Sequence, residues 1–458
     1  MADEQVFNME KEFEGLDFNS SRLESRFIKT METLSKHPDK SIWFCSGNRA
    51  EAKAIYRMLG NESVDREEIL RVHKEETIKR ILSENKTILA IQDTTSLNYN
   101  THKKTDGIGY VSNKILGVNI HTCLAVTTDG LVLGVLEQMS YNRPQVKDDS
   151  QSHDKKKARA LEEKESFRWV NTFRTGVLSI PKSVKVITVC DREGDMYELF
   201  DEIGSTGHIF LIRIAQNRIT KDNEKIKDAI KGRDCIAKVE VTIPRDSRRG
   251  LKARNAILQI RYDNFEIKRP EILSKNEKLK ESQNVNVIYV KEECPPDGVD
   301  SIEWLLMSND VFGSVEEVLE RVNYYIQRWK IERFHYVLKS GCCVEKLQER
   351  SIEKTTLLVL MYSIIAVSIM NLTYIARLHP ELPCSIFFDE DEWRLLYCVS
   401  NKTKNAPLKP YGIGEAVKYI GYLGGPKRSP SDGPPGVKTI WIGLDKLNTL
   451  LAYREWII

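Results

Sequence analysis

The sequence is short of several features that mark large classes of proteins. It has no strong excess of either charge, since Lys and Arg number 69, Asp and Glu number 66, and the formal net charge of the 458 residues is +3. A chain that is basic over its whole surface is therefore excluded, and any face that binds anions must be local. A continuous apolar run of about 18 residues, the length of a membrane-spanning helix, is also missing. The most apolar stretch, residues 356–372, includes Tyr, Ser and Asn and predicts a buried helix, so we expect no membrane partner.

Cysteine is present but follows no pattern. The nine cysteines form no C-x-x-C pair, which leaves a structural zinc site unsupported. The stretch MADEQVFNMEKEFEG at the start is acidic and polar, and it lacks the basic and apolar blocks of a signal peptide. An odd number of cysteines in such a sequence indicates reduced thiols and a cytoplasmic location.

The length predicts about three domains, and we expect the first, residues 1–85, to be helical. The segment Asn19-Ser20-Ser21 can cap one helix, Ser46 a second and Asp65 a third. The segment is locally basic, and its candidate DNA-binding residues are Arg22, Arg26, Lys36 and Lys40. A small basic helical module is typical of DNA-binding domains, although a solvated helical face would have the same composition.

Residues 86–378 read as an α/β region with a mixed sheet. Apolar runs at 87–92, 117–127, 131–138 and 184–190 predict strands, and Thr128–Gly130 predicts a hairpin turn. Residues 208–308 are rich in strands and look like an inserted β-subdomain, whose loops carry a basic cluster made of Arg245, Arg248, Arg249, Lys252 and Arg254.

The last region, residues 379–458, has two parts. Residues 404–437 are rich in Gly and Pro, which favours a loop. An apolar helix from Leu444 to Trp456 follows, and it predicts a dimerisation surface.

A column of polar residues marks the helical segment after the inserted strands. Ser314 and Glu317 form a capping-box pattern that begins a helix. In one long helix, Tyr325, Arg328, Glu332 and Lys339 would share a stripe about 60° wide. Alone this is modest support for a site, because pairs such as Arg328 and Glu332 are common on solvated helices.

Two aspartates, Asp93 and Asp191, strengthen the hypothesis because each directly follows an apolar strand. Strand ends hold such side chains rigidly at a cleft, where they could meet Glu332. Three converging carboxylates repel one another unless divalent cations neutralise them, and oxygen-only ligands favour Mg²⁺ or Mn²⁺. Two such ions about 4 Å apart suit phosphodiester chemistry, as in a nuclease or a strand transferase. Either aspartate taken singly could equally be a turn residue.

These motifs together resemble one known family. Asp93 lies in D-T-T-S-L-N-Y, Asp191 lies in V-C-D-R-E-G-D, and the column reads Y-x₂-R-x₃-E-x₆-K. The set resembles the DDE cut-and-paste DNA transposases of insertion-sequence family four, over nearly the whole chain. The resemblance implies an RNase H-like mixed-sheet catalytic core over 86–378 with a β-strand insertion at about 205–310. It also implies a helical DNA-binding domain over 1–85 and a helical dimerisation region over 379–458.

The resemblance also implies a reaction and its partners. Asp93, Asp191 and Glu332 would hold two Mg²⁺ ions in each active site, with Mn²⁺ able to substitute. The enzyme would nick a transposon end, form and reopen a hairpin, and join the end to target DNA. Its partners would be double-stranded DNA, as terminal inverted repeats and target, and a second copy of the chain in the end-paired complex. A bacterial, nucleoid-associated location would follow.

Further DNA contacts are implied residue by residue. Tyr325, Arg328 and Lys339 would grip phosphates near a flipped nucleotide, Trp304 would fill the stack that this base leaves, and Arg213 would contact DNA. The chain departs from the family at Tyr336, where the family has a lysine. Two alternatives stay open: a catalytically inactive protein that binds DNA ends, and an RNase H-like metal nuclease without strand transfer.

Overall fold

The structure is a computed structural model that describes residues 7–112, 114–143, 161–243, 252–273, 276–425 and 433–453. The chain divides into two units. The first unit comprises the described residues within 1–85, 94–147 and 329–458, and the second comprises those within 86–93 and 148–328.

The N-terminal segment of the first unit is helical, as predicted. Its helices are α1 (Met9–Glu12), α2 (Ser21–Lys36), α3 (Ile42–Cys45), α4 (Arg49–Leu59) and α5 (Arg66–Glu84). Ser20 and Asp65 cap α2 and α5, as their positions predict. The prediction for α4 was wrong, because Asn48 and not Ser46 is its cap: the Asn48 side chain accepts from the Glu51 amide at 2.9 Å. Ser46 instead donates to the Trp43 carbonyl at 2.9 Å.

Strand β1 (Ile88–Asn98) contributes residues to both units. In the first unit it neighbours β3 (Ile115–Thr127), which pairs antiparallel with β2 (Gly109–Ser112) and with β4 (Val132–Tyr141). The predicted hairpin at Thr128–Gly130 is confirmed, since it joins β3 to β4 and Gly130 has a φ of 97°. That left-handed conformation favours glycine.

Strands β1, β5 (Val186–Cys190) and β6 (Ile209–Arg213) form the parallel part of the second unit. Helices α6 (Phe167–Thr172) and α7 (Tyr197–Ser205) lie before and after β5 in the chain. The inserted strands extend the sheet beyond β6 in the order β10-β9-β8-β7. Their bounds are β7 (Cys235–Ile243), β8 (Arg254–Lys268), β9 (Ser282–Glu292) and β10 (Glu303–Ser308), with a short helix, α8 (Ile226–Lys231), before β7.

The single long helix predicted after Ser314 is wrong. Helix α9 (Val315–Ile326) ends before Gln327, and α10 (Trp329–Tyr336) begins two residues later. The Gln327 and Arg328 amides donate to carbonyls three residues back, at 3.1 and 3.0 Å, which interrupts the α-helical ladder. A short π-helix over Val337–Gly341 follows α10, and it changes the rotation per residue again. The four polar residues therefore do not share one stripe of a regular helix.

Helix α11 (Ile352–Leu378) is a long apolar helix of the first unit. By length and composition it could cross a membrane, but 94% of its most apolar 18-residue window is buried inside the protein. It also contains the stretch predicted to be a buried helix, so that prediction is confirmed. Asn371 is fully buried within it and donates to the Val132 carbonyl of β4 at 2.9 Å.

The C-terminal helices are α12 (Glu390–Asn401), α13 (Ile413–Gly424) and α14 (Val437–Ala452). Helix α13 corrects the prediction of a loop across 404–437. Its buried residues Ile413, Ala416, Val417 and Ile420 have helical spacing, and the glycines at 412 and 425 lie at its ends. The terminal apolar helix is present, and the predicted residues 454–456 lie outside the described part.

The molecule thus has a mixed α/β fold with a large mixed sheet, which the strands β7 to β10 extend, and helical N- and C-terminal regions. This is the fold class that the sequence predicts.

Candidate functional site

Asp93 and Asp191 lie at the same level of two neighbouring parallel strands. Strands β1 and β5 pair in the register Ile88↔Val186 through Ile91↔Val189. Continuing that register by two residues sets Asp93 beside Asp191 at the carboxyl ends of the strands. Adjacent strands are about 4.8 Å apart, and paired residues project to the same face of a sheet. The fold therefore brings these two predicted site residues together.

The backbone around Asp191 forms a tight turn. Its Oδ1 accepts from the Glu193 amide at 2.8 Å and caps the short 3₁₀ turn Arg192–Gly194. Gly194 is required there, because a Cβ on it would lie 2.5 Å from the Cys190 Cβ. The turn directs the chain away from β5 while leaving Asp191 at the strand end.

An arginine ion pair neutralises Asp93. Arg328, at the break between α9 and α10, places its Nη1 3.6 Å from Asp93 Oδ2. Both side chains are largely buried, with 10% and 18% of their surface exposed. The Arg328 guanidinium also lies 5.9 Å from the centre of the Tyr325 ring. Tyr325 is buried, and burial raises its pKa to about 12 although the nearby arginines oppose that shift.

Arg213 and Trp304 lie on the neighbouring antiparallel strands β6 and β10. Arg213 ends β6 and pairs with Leu306 of β10, two residues after Trp304, so both side chains project to one face of the sheet. The half-buried Trp304 packs edge-on against Tyr325, with ring centres 5.9 Å apart. Arg213 Nη2 donates to the Glu303 carbonyl at 2.9 Å.

The charge of Arg213 is poorly solvated. Burial lowers its pKa, as do the charges of Arg192 and Arg328, whereas Tyr325 and Asp191 raise it. Its Nε is buried and has no hydrogen-bond partner among the described residues. An unpaired buried donor costs roughly 1–3 kcal/mol. An anion supplied from outside would satisfy it.

Sequence reasoning missed two features of this region. Arg192 is exposed, directly follows Asp191 in the chain, and its charge acts on Arg213. Asp195, with a side chain that is fully buried, pairs with Arg218 at 2.5 Å and accepts from the amides of Ala215 and Gln216 at 2.6 Å each. The second aspartate of D-R-E-G-D was the available signal, since a charge so close to a buried strand requires a partner.

Glu332 and Lys339 belong to the first unit. Glu332 is half-buried in α10, four residues after Arg328 in the chain. Lys339 lies in the short π-helix Val337–Gly341, and its Nζ donates to the Ser96 carbonyl of β1 at 2.7 Å. Burial lowers the pKa of Lys339, and the charge of Glu345 opposes this shift.

The donor set at the two strand ends suits a hard divalent cation. Carboxylate oxygens are the ligands that Mg²⁺ and Mn²⁺ prefer, and Asp93 and Asp191 supply them at adjacent positions. Within the described ranges, no three or more His, Cys, Asp or Glu side chains stand close enough together to hold a metal ion. The convergence of Glu332 with the aspartates therefore stays a prediction.

The predicted DNA-binding residues of the N-terminal helices differ in their surroundings. Arg22 and Arg26 line a cleft of about 800 Å³ together with Lys29 and Arg57. Arg26 also pairs with Glu51 at 2.5 Å. Lys36 is exposed at the end of α2. Lys40 pairs with Asp39 at 2.8 Å, and this hydrogen bond raises its pKa.

The basic cluster of the insertion is only partly described. Residues 245, 248 and 249, including the predicted contact Arg248, lie outside the described residues. Lys252 is exposed. Arg254 forms a bidentate ion pair with Glu292 of β9, in which Arg254 Nη2 lies 3.0 Å from Glu292 Oε2. Its charge is thus neutralised within the sheet.

Comparisons with known proteins concern the two ends of the chain and its overall fold. A solved structure described as a piggyBac transposase synaptic complex with hairpin DNA aligns at a TM-score of 0.37 and 11% identity, covering 79% of this chain and 68% of that chain. This similarity is too low to assign a function. Residues 8–64 match the family model described as "Transposase DNA-binding", and residues 364–455 match "Transposase Tn5 dimerisation domain". These matches support a DNA transposase similar to that of Tn5, with a domain that binds DNA and a domain that forms dimers.

Proposed function

We propose that this protein is a Mg²⁺-dependent DDE transposase of insertion-sequence family four, similar to the transposase of the kanamycin-resistance composite transposon. The observation that carries the proposal is the common level of Asp93 and Asp191 on adjacent parallel strands. It stands in a chain whose two ends match transposase domains. The proposed reaction is end nicking, hairpin formation and opening, and strand transfer into target DNA.

Asp93, Asp191 and Glu332 would hold two Mg²⁺ ions, which Mn²⁺ could replace. When bound, such ions activate the attacking hydroxyl and stabilise the leaving oxygen of a phosphodiester. The two aspartates are held on strand ends, so they need little rearrangement to meet a cation. Glu332 would complete the set from α10.

The remaining residues would hold the DNA. Arg213 has a buried Nε without a partner among the described residues, which suits a phosphate oxygen. Arg328 and Lys339 would bind neighbouring phosphates. Trp304 already packs against Tyr325, and it would replace a flipped base in the stack, an exchange that offsets part of the few kcal/mol that flipping costs.

The test begins with the full chain and a pool of random duplexes, from which bound sequences are selected. The recovered duplex is then incubated with the protein and Mg²⁺. Wild-type protein should yield nicks, hairpins and joined products. The variant Asp191→Asn should bind the duplex with unchanged affinity and produce none of them. Glu202→Gln is the matched control, because it removes a half-buried carboxylate of the same unit that pairs with Arg174.

Each other outcome has a clear meaning. Nicks without hairpins or joined products would indicate a nuclease, and no recovered duplex would reject a DNA-binding function. Undiminished cleavage by Asp191→Asn would reject the proposed catalytic residues.

A further inference from the structure

We propose that Arg328 neutralises Asp93 while no DNA is bound, and that this ion pair keeps metal affinity low until a DNA phosphate draws Arg328 away. The inference rests on the proposed function and deepens it, since it concerns the order in which that site is filled. It makes Arg328 a coupling residue between DNA and metal.

The first step is the contact itself. Arg328 Nη1 lies 3.6 Å from Asp93 Oδ2, and both side chains are shielded from water. A cation at this distance lowers the affinity of a carboxylate for any other cation. The effect on protons shows the scale, because a neighbouring arginine lowers an aspartate pKa by about 1–3 units.

The second step is the position of Arg328 in the chain. It occupies the short interruption between α9 and α10, where its amide is held by a three-residue-back hydrogen bond to the Tyr325 carbonyl at 3.0 Å. Such interruptions often mark places where a backbone can adjust. Tyr325 supports the guanidinium from one side at 5.9 Å.

The third step is the local charge. Arg192, Arg328 and Asp191 all influence the Arg213 guanidinium, and Arg328 also pairs with Asp93, so three arginines and two aspartates contribute to one local charge balance in this unit. With the aspartates ionised, the cluster is close to neutral without any metal. Adding divalent cations would leave it strongly positive, and adding the phosphates of DNA would restore the balance. Metal and DNA should therefore bind cooperatively, and the coupling must be reciprocal.

The experiment measures Mn²⁺ binding to the full-length protein without DNA, by calorimetry and by the loss of the free-ion signal in electron paramagnetic resonance. Arg328→Gln should lower the Kd for Mn²⁺ about ten-fold relative to wild type, by analogy with the pKa effect of one neighbouring arginine. Arg328→Lys retains the charge and should stay close to wild type. Thermal melting checks that every variant is folded.

Arg192→Gln is the matched control, since it removes one positive charge from the residue next to Asp191 and leaves the Arg328–Asp93 pair in place. An equal gain in Mn²⁺ affinity for Arg192→Gln and Arg328→Gln would show general electrostatics and overturn the proposal. An unchanged Kd for Arg328→Gln would overturn it as well.

A further variant separates this inference from the proposed function. Asp191→Asn should weaken Mn²⁺ binding in any background. If neither wild-type protein nor Arg328→Gln binds Mn²⁺, or if Asp191→Asn has no effect in the Arg328→Gln background, the metal site itself is wrong. If Asp191→Asn weakens binding but Arg328→Gln leaves the Kd unchanged, only the coupling role fails.

Discussion

A buried charge network in the first unit gives the sharpest stability prediction. Glu12 of α1 is almost fully buried. Its carboxylate forms an ion pair with Arg80 Nη1 at 2.7 Å and a hydrogen bond with His73 Nδ1 at 2.5 Å. His73 Nε2 accepts from the Val135 amide of β4 at 2.9 Å, so the proton of the neutral ring is on Nδ1 and is donated to Glu12. The network ties the segment matched by the DNA-binding family model to strand β4.

Its magnitude follows from the pKa of Glu12. Burial alone would raise that pKa, but Arg80 and His73 outweigh burial and lower it from 4.5 to about 2. A folded-state pKa below the unfolded value contributes stability that is present above pH 4.5 and is lost as the pH falls toward 2. At 1.36 kcal/mol per unit, ionised Glu12 contributes about 3 kcal/mol at pH 7 and about 2 kcal/mol at pH 3.5.

The perturbation is Glu12→Gln, and Glu10→Gln is its control because Glu10 is exposed on the same short helix. Thermal and urea unfolding should show Glu12→Gln destabilised by about 3–5 kcal/mol at pH 7, since Arg80 is left with a buried unpaired charge. The difference in unfolding free energy between Glu12→Gln and wild type should become smaller as the pH falls below 4.5. A difference that is absent at pH 7, or that widens in acid, would refute the reasoning.

Two further predictions concern a buried ion pair and a close contact between helices. Arg218→Met should destabilise the protein by about 3–5 kcal/mol in urea unfolding, because it leaves Asp195 buried without its cation; adding Asp195→Asn should restore part of the loss, and no recovery would contradict the pairing. Gly443→Ala should lower the melting temperature and weaken dimer formation in analytical ultracentrifugation, because a Cβ there would lie 2.1 Å from the Ile420 carbonyl oxygen. Gly436→Ala, at a position with open space around it, should have little effect, and equal effects of the two changes would reject the close helix contact.

The sequence predicts elements best where one local signal decides them. The buried strand before Asp191 and the cap at Asp65 follow from apolar runs and capping chemistry, and both are present. Position 48 shows the limit of such signals: Asn48 and Ser46 are both good caps, and the choice depends on where the preceding turn ends. Composition misled at α13, because the helix tolerates Gly414 and Gly421 inside it, whereas Pro407 and Pro410 lie before its first residue.

The candidate site divides in the same way. Asp93 and Asp191 can be placed from the sequence because a parallel sheet sets the ends of neighbouring strands at one edge. The polar column from Tyr325 to Lys339 cannot be placed from the sequence, because the predicted stripe assumes an unbroken helix. A break after Ile326 leaves no clear mark in the sequence, because no glycine or proline lies near it and tertiary packing decides the hydrogen bonds.

The near-zero net charge constrains how such a chain could hold DNA. With a net charge of +3, general attraction to a polyanion is weak, so affinity must come from clusters where arginines outnumber carboxylates. The N-terminal cleft has four cations, of which Arg26 is already paired with Glu51. At the strand-end site Arg328 pairs with Asp93, and Asp191 acts on the charge of Arg213. Both clusters therefore hold part of their charge in internal ion pairs, and DNA would have to compete for it. Release of those pairs, rather than bulk charge, would then link binding of a DNA end to assembly of the site.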